Sequence, residues 1–269
     1  MATDATKYRI DSVSHAAEIL CAFLRPPHRF GLTELTDATG LTKNQAFRML
    51  RTLEPAGFVV QDGATKTYRL GSRIVDLAAF AVHGTGLVHA AAPVLDAVAA
   101  ETGETVNLIT RLDDRSAICV DTRDSRQRLR ITASVGARFA LHAGASPKLL
   151  LAFSPRPTIA AYLRDCAPFP AFTAKTITDP APLLAELDRI GARGYAVSNE
   201  EIDKGICSIA APVRDGAGAV IAGVSVAAPT IRSGPDDRQR NTDAVLAAAR
   251  RISAQLAGTD PDGGSPPHP

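Results

Sequence analysis

Apolar residues recur at helical spacing in three short segments near the start of the chain, each closed by a residue that ends helices. Residues 12–24 (SVSHAAEILCAFL) set Val13, Ala16, Ala17, Leu20, Phe23 and Leu24 along one face, and Pro26–Pro27 end the run. A second helix is predicted from Thr33, whose hydroxyl can cap it, to Gly40, which can terminate it at positive φ. The third opens on Thr42 and Gln45, the S/T-x-x-E/Q spacing of a capping box. It carries Ala46, Met49, Leu50 and Leu53 as its buried stripe and stops at Pro55 and Gly57. The period then changes from helix to strand. Phe58, Val59 and Val60 read as one strand, Asp62–Gly63 as part of a turn, and Thr67, Tyr68, Arg69 and Leu70 as the return strand. Helix, glycine turn, capped helix and hairpin in that order predict a winged helix-turn-helix, which sets one helix into the DNA major groove.

The pattern changes beyond Leu70. Residues 72–83 read as a helix with Ile74, Leu77, Ala78 and Ala81 on one side, Gly84 and Gly86 interrupt it, and an alanine-rich helix follows over 87–101. The stripe of this pair can face a second copy or pack on its own domain. Val106–Ile109, Ala117–Val120 and Leu129–Ile131 read as strands, the first two joined by the turn at Asp113–Asp114. Helical segments are predicted at 146–153, 156–165, 180–192 (Leu183, Leu184, Leu187 and Ile190 inside) and 236–257 (Val245, Leu246, Ala249, Ile252 and Leu256 inside). Strands return at 206–213 and 219–228, joined through Asp215, Gly216 and Gly218. The expected fold is α+β, with an antiparallel sheet flanked by helices in the second half. The expected domains are 1–71 (DNA-binding), 72–86 (linker helix), 87–257 (second domain) and a disordered Gly/Pro-rich tail, 258–269.

Charge sharpens the first reading. From Lys43 to Arg73 there are six basic residues against two acidic ones, about +4, while the whole chain carries only +2. Thr42, Lys43, Asn44, Gln45, Arg48 and Arg51 form the candidate groove-facing set, able to donate to phosphates and, as Asn, Gln and Arg, to read base edges. Lys66 and Arg69 are the candidate phosphate contacts of the wing.

Composition excludes several classes. With 45% hydrophobic and 22% charged residues the chain reads as a soluble globular protein, and no apolar run reaches the roughly 18 residues of a membrane span. The start, MATDATKYRIDSV, lacks a signal-peptide apolar region, so the expected location is the cytoplasm. Cysteines 21, 119, 166 and 207 show no C-x-x-C spacing and the six histidines no ligand pair, so neither a metal site nor a cofactor is expected. An enzyme built on Cys166 or Cys207 is the rival reading; neither has a histidine nearby in sequence to activate it, and no catalytic residue is assigned.

Several segments together resemble the isocitrate lyase regulator (IclR) family of bacterial transcription factors. They are YRIDSVSHAAEIL, LTELTDATGLTKNQAFRMLRTLEPAGFV, YRLGSRIVDLA, VGARFALHAGASPKLLLA and GYAVSNEEIDKGICSIAAPVRDGAGAVIAGVSV, spanning about residues 8–256. The resemblance implies a GAF-like C-terminal α/β domain that binds a small-molecule effector, often a carboxylate or an aromatic acid. It also implies a homodimer or homotetramer on double-stranded operator DNA, expected to act as a repressor. A family member without an effector is the alternative.

The resemblance also implies an effector pocket. Backbone amides at Ala143, Gly144 and Ala145 would take the acid, as clustered N–H groups do. Ser198, Ser208 and Ser225 match polar positions of glyoxylate- and pyruvate-binding members, which have Asp, Cys and Ser there, and Ala227 stands where those have Ser. Losing the acid at 198 and the hydroxyl at 227 removes partners worth roughly 1–3 kcal/mol each when buried, so a larger or more apolar acid is expected. Pro147 replaces a common glycine and supplies no N–H. Arg130 and Arg138 are further candidates to pair with the acid, and Glu200, Glu201 and Asp203 are expected to be a solvated acidic turn.

Overall fold

The computed structural model describes residues 10–75, 77 and 86–258. The chain divides into two compact units, Met1–Gly84 and Thr85–Pro269.

The first unit orders α1 (Asp11–Ala22), α2 (Leu32–Thr39), α3 (Lys43–Leu53), β1 (Val59–Gln61) and β2 (Tyr68–Leu70). Its core gathers Ile19, Phe23, Phe30, Leu35, Leu50, Val59 and Tyr68. The α1 stripe differs from the sequence reading. Val13 and Leu24 are 64% and 57% exposed and Ala17 is exposed, while Ile19 is fully buried. The apolar run is wide enough to be cut along two faces, and packing against α2 and α3 selects the one centred on Ile19. The cap of α2 also differs. The helix starts at Leu32 with Gly31 before it, and Glu34 takes the Gly31 N–H at 2.6 Å, while Thr33 lies inside the first turn. Gly40 ends α2 at φ +73° as expected. The hairpin pairs Val59 with Leu70 and Gln61 with Tyr68, and Phe30 and Tyr68 exchange both backbone hydrogen bonds, at 3.1 and 2.8 Å. That bridge ties the wing to Phe30, two residues ahead of α2. Of the linker helix expected over 72–86, residues 73–75 and 77 are helical; residues 76 and 78–85, Ala78 and Ala81 among them, lie outside the described residues, as does the tail from 259.

The second unit orders α4 (Leu87–Thr102), β3 (Thr105–Arg111), β4 (Ser116–Arg123), β5 (Arg138–Ala140), α5 (Ala145–Ala152), α6 (Arg156–Asp165), α7 (Pro180–Arg193), β6 (Ala196–Asn199), β7 (Ile206–Arg214), β8 (Val220–Pro229) and α8 (Pro235–Leu256). Its six strands lie in the order β5-β4-β3-β8-β7-β6, every neighbouring pair antiparallel. The strand expected at Leu129–Ile131 is absent; this stretch is irregular, Leu129 is 56% exposed, and the edge position belongs instead to β5. Leu184, expected inside α7, is 36% exposed.

Period-two alternation sorts each central strand into two faces. Val106, Leu108, Val224, Val226, Ile209 and Ala211 pack beneath α4 and α8. The α4 stripe of Leu87, Ala91, Val94, Leu95 and Val98 is thereby buried in its own unit, which decides between the two readings of that helix. The opposite face carries α5 and α7, whose Leu149 and Leu187 join Ile109 and Ala210 of the sheet in a second core.

Candidate DNA-binding face and ligand cavity

The capping box of α3 forms. The Thr42 hydroxyl accepts from the Gln45 N–H at 3.3 Å, and Gln45 Oε1 accepts from the Thr42 N–H at 2.9 Å and from its hydroxyl at 2.8 Å. These bonds hold the first turn of α3 rigid and commit the Thr42 hydroxyl and the Gln45 carbonyl oxygen to the helix itself. Ala46, Leu50 and Leu53 are buried and Met49 half-buried, so Lys43, Asn44, Gln45, Arg48 and Arg51 all stand exposed on the other side. Arg51 reaches Glu54 only at 3.6 Å, across solvent, and stays available to an anion. In the wing turn the Asp62 carboxylate accepts from the Ala64 and Thr65 N–H groups at 2.9 and 3.0 Å, which holds its acid below the usual carboxylate range. Lys66 follows at φ +57°, and Lys66 and Arg69 are exposed.

The second unit holds a cavity of about 300 Å³ between the sheet and the start of α5. Strand register builds its floor. Ser198 lies opposite Ser208, Ser208 opposite Ala227, and Asn107 opposite Ser225. Gly144, Ala145, Ser198, Ser208, Ser225 and Ala227 all line it, so most of the sequence-predicted set converges. Ala143 does not: it is fully buried behind the loop, its N–H turned to the Ala140 carbonyl at 3.4 Å. Arg130 and Arg138 are exposed and outside the lining.

Of the lining residues that the sequence reading did not assign to the site, Asn107 and Ser146 are buried polar ones. Asn107 sits in β3 with Oδ1 accepting from the Thr122 hydroxyl at 2.9 Å. Ser146, 2% exposed, has a side-chain oxygen with no hydrogen-bond partner among the described residues. Polar letters inside an apolar strand or helix were the available signal, since a buried hydroxyl without a partner is costly. Pro147 falls at the third position of α5, where its missing N–H would have had no helical acceptor. The amides of Ala145 and Ser146, at the positive end of the α5 dipole, remain the donors on this side.

Glu201 is not solvated. It is 8% exposed, accepts from the Gly144 N–H at 3.1 Å through one oxygen, and takes the Lys148 ammonium at 2.6 Å through the other. Glu200 closes the same turn, accepting from the Gly205 N–H at 2.7 Å and pairing with Lys175, and only Asp203 is exposed, at the cavity rim. The acidic turn is thus a clasp rather than a surface, because Lys148 comes from a helix distant in sequence.

Burial pushes the Cys119 thiol to about 11 and raises that of Cys207. His142 is buried between Phe169 and Phe172, bonded to the Tyr162 hydroxyl and the Pro170 carbonyl, and burial lowers its pKa. Among the described residues no group of His, Cys, Asp and Glu could hold a metal, and no helix is long and apolar enough to cross a membrane.

Comparison with known proteins places these two units. The family described as "Bacterial transcriptional regulator IclR C-terminal" matches residues 79–254, and that described as "IclR helix-turn-helix domain" matches residues 12–63. The HTH-type transcriptional regulator KdgR of Dickeya chrysanthemi is 34% identical over 91% of this chain and 81% of its own length. The crystal structure of an IclR transcriptional regulator from Alicyclobacillus acidocaldarius superposes with a TM-score of 0.82 at 31% identity, over 93% of this chain and all of that one. An IclR homolog from Microbacterium hydrocarbonoxydans, crystallised with 4-hydroxybenzoate, has the same fold (TM-score 0.82, 92% and 100% covered) at 22% identity.

Proposed function

The chain belongs to the IclR family of DNA-binding transcriptional regulators, and from that premise we propose that it is an effector-responsive repressor whose ligand is a small organic acid bound in the cavity under α5. The observation that carries the ligand half is the unpartnered Ser146 hydroxyl. It stands beside two helix-terminal amides in a cavity with no cationic lining residue. Those three donors suit one carboxylate, and Asn107, Ser198, Ser208 and Ser225 suit hydroxyl or oxo groups further along. Ile109, Ile131, Phe139 and Ile202 supply apolar wall, which favours an acid larger than glyoxylate and admits an aromatic one. The protein would act in the cytoplasm as a homodimer or homotetramer.

A full-length thermal-shift panel of aliphatic, hydroxylated and aromatic acids tests this. A ligand at about 100 times its Kd adds roughly 2.7 kcal/mol. Ser146→Ala should weaken the best acid by about tenfold to a hundredfold, the loss of one hydrogen bond to a charged group. No shift with any acid would favour a regulator without an effector, a reading the Glu201 carboxylate supports because it already occupies the Gly144 amide.

On DNA, Arg48→Ala should weaken binding to a selected operator by roughly 1–3 kcal/mol if the guanidinium reads a base, measured by fluorescence anisotropy against unrelated competitor. An equal loss on every sequence would make Arg48 a phosphate contact. A reporter fused to the operator gives the sign of regulation: derepression on deleting the gene is the expected result.

A further inference from the structure

We infer that Phe47 reads the C5-methyl group of a thymine in the major groove. This rests on the reading that α3 enters that groove. Phe47 is a large apolar side chain left 48% exposed on a helix whose neighbours Ala46 and Leu50 are fully buried, and it takes no part in the core of its unit. It stands one turn from Lys43 and one turn from Arg51, so the three form an i, i+4, i+8 row on the exposed face, with Asn44 and Arg48 beside it.

Cations on both sides determine what covers this ring. A protein partner with an apolar patch would bury Lys43 and Arg51 without counter-charges, whereas duplex DNA supplies phosphates and guanine edges to both while offering an apolar feature between them. The only apolar group on the major-groove edge of a base pair is the thymine methyl, and an aromatic ring is among the side chains that contact it. Phe47 then contributes sequence preference, where its charged neighbours also contribute affinity that any sequence would satisfy.

The test uses the full-length protein. A randomised duplex library is selected on it, and each thymine of the enriched sequence is replaced in turn by uracil, which removes only the methyl group. Affinities are measured by anisotropy for the wild type, Phe47→Ala and Phe47→Leu, with melting followed by circular dichroism to verify that the variants fold. The expected result is one thymine per half-site whose conversion weakens the wild type about fourfold, the worth of one buried methyl. Phe47→Ala should be indifferent to the same change, and Phe47→Leu should keep part of the preference. If no conversion weakens the wild type, or if Phe47→Ala loses as much as the wild type at every thymine, the inference fails while sequence-specific binding stands. If selection enriches no sequence, the DNA-reading premise falls and this inference falls with it.

Discussion

Lys148→Met should destabilise the second unit by about 3–5 kcal/mol, the cost of removing one partner from a buried ion pair. The Lys148 side chain is 1% exposed; its ammonium lies 2.6 Å from Glu201, 3.5 Å from Glu186 and 3.1 Å from the Val197 carbonyl. Methionine keeps the length of the stem but leaves the Glu201 carboxylate buried with the Gly144 N–H as its remaining partner there. Glu186 keeps Arg189 and Arg193, so the loss concentrates on Glu201. That residue anchors the turn carrying Ile202 and Asp203 to the cavity wall, so ligand response should be lost along with stability. Because two units melt in one chain, hydrogen exchange of α5 and β6 amides is the appropriate measurement. Adding Glu201→Gln should recover part of the loss, since a neutral amide oxygen can still accept from Gly144 and no unpaired charge remains. Protection equal to wild type in Lys148→Met would show that the pair contributes nothing net.

The second large effect is expected at Gly71. A Cβ there would lie 2.2 Å from the Gly57 carbonyl oxygen and 2.9 Å from its carbon, so two stretches of backbone would have to separate. Side-chain rotation cannot relieve a backbone overlap. Gly71→Ala should therefore cost about 3 kcal/mol, the upper end of ordinary overpacking. The first unit is small, and domains hold only on the order of 0.05–0.15 kcal/mol per residue. The Gly71 N–H to Phe58 carbonyl bond, 2.8 Å, should break, the wing should detach from its seat, and DNA binding at 37 °C should fall with it. Gly63→Ala, which meets nothing within 4 Å, should stay within about 0.5 kcal/mol of wild type. A Gly71→Ala protein that melts and binds DNA like the Gly63 variant would refute the argument.

These two residues also mark where sequence reasoning stops. Gly63 and Gly71 are the same letter in the same hairpin region, and only the fold brings Gly57 against one of them. Glu201 reads as one acid in a polar turn, and only the arrival of Lys148 on α5 makes it interior. Leu129–Ile131 has strand composition, yet a strand exists only where a partner edge is free, and β4 pairs with Arg138–Ala140 instead.

What the sequence determined by itself was the local architecture of the first unit from Gly40 through the wing. Capping boxes, terminal glycines and short-range periodicity act within a few residues, so Thr42, Gln45, Gly40 and the exposed row of Lys43, Asn44, Arg48 and Arg51 are fixed by their immediate neighbours. The tertiary structure alone decided the cavity. Each strand's alternation says which residues share a face, but not which strands lie side by side or in what register. Pairing β3 with β8, β8 with β7 and β7 with β6 sets Asn107, Ser225, Ser208 and Ser198 across one floor, and packing α5 over them turns the Ser146 hydroxyl into an interior group without a partner. Contacts between residues as many as 122 positions apart carry no signal in a single sequence, because their energy exists only once the sheet has formed.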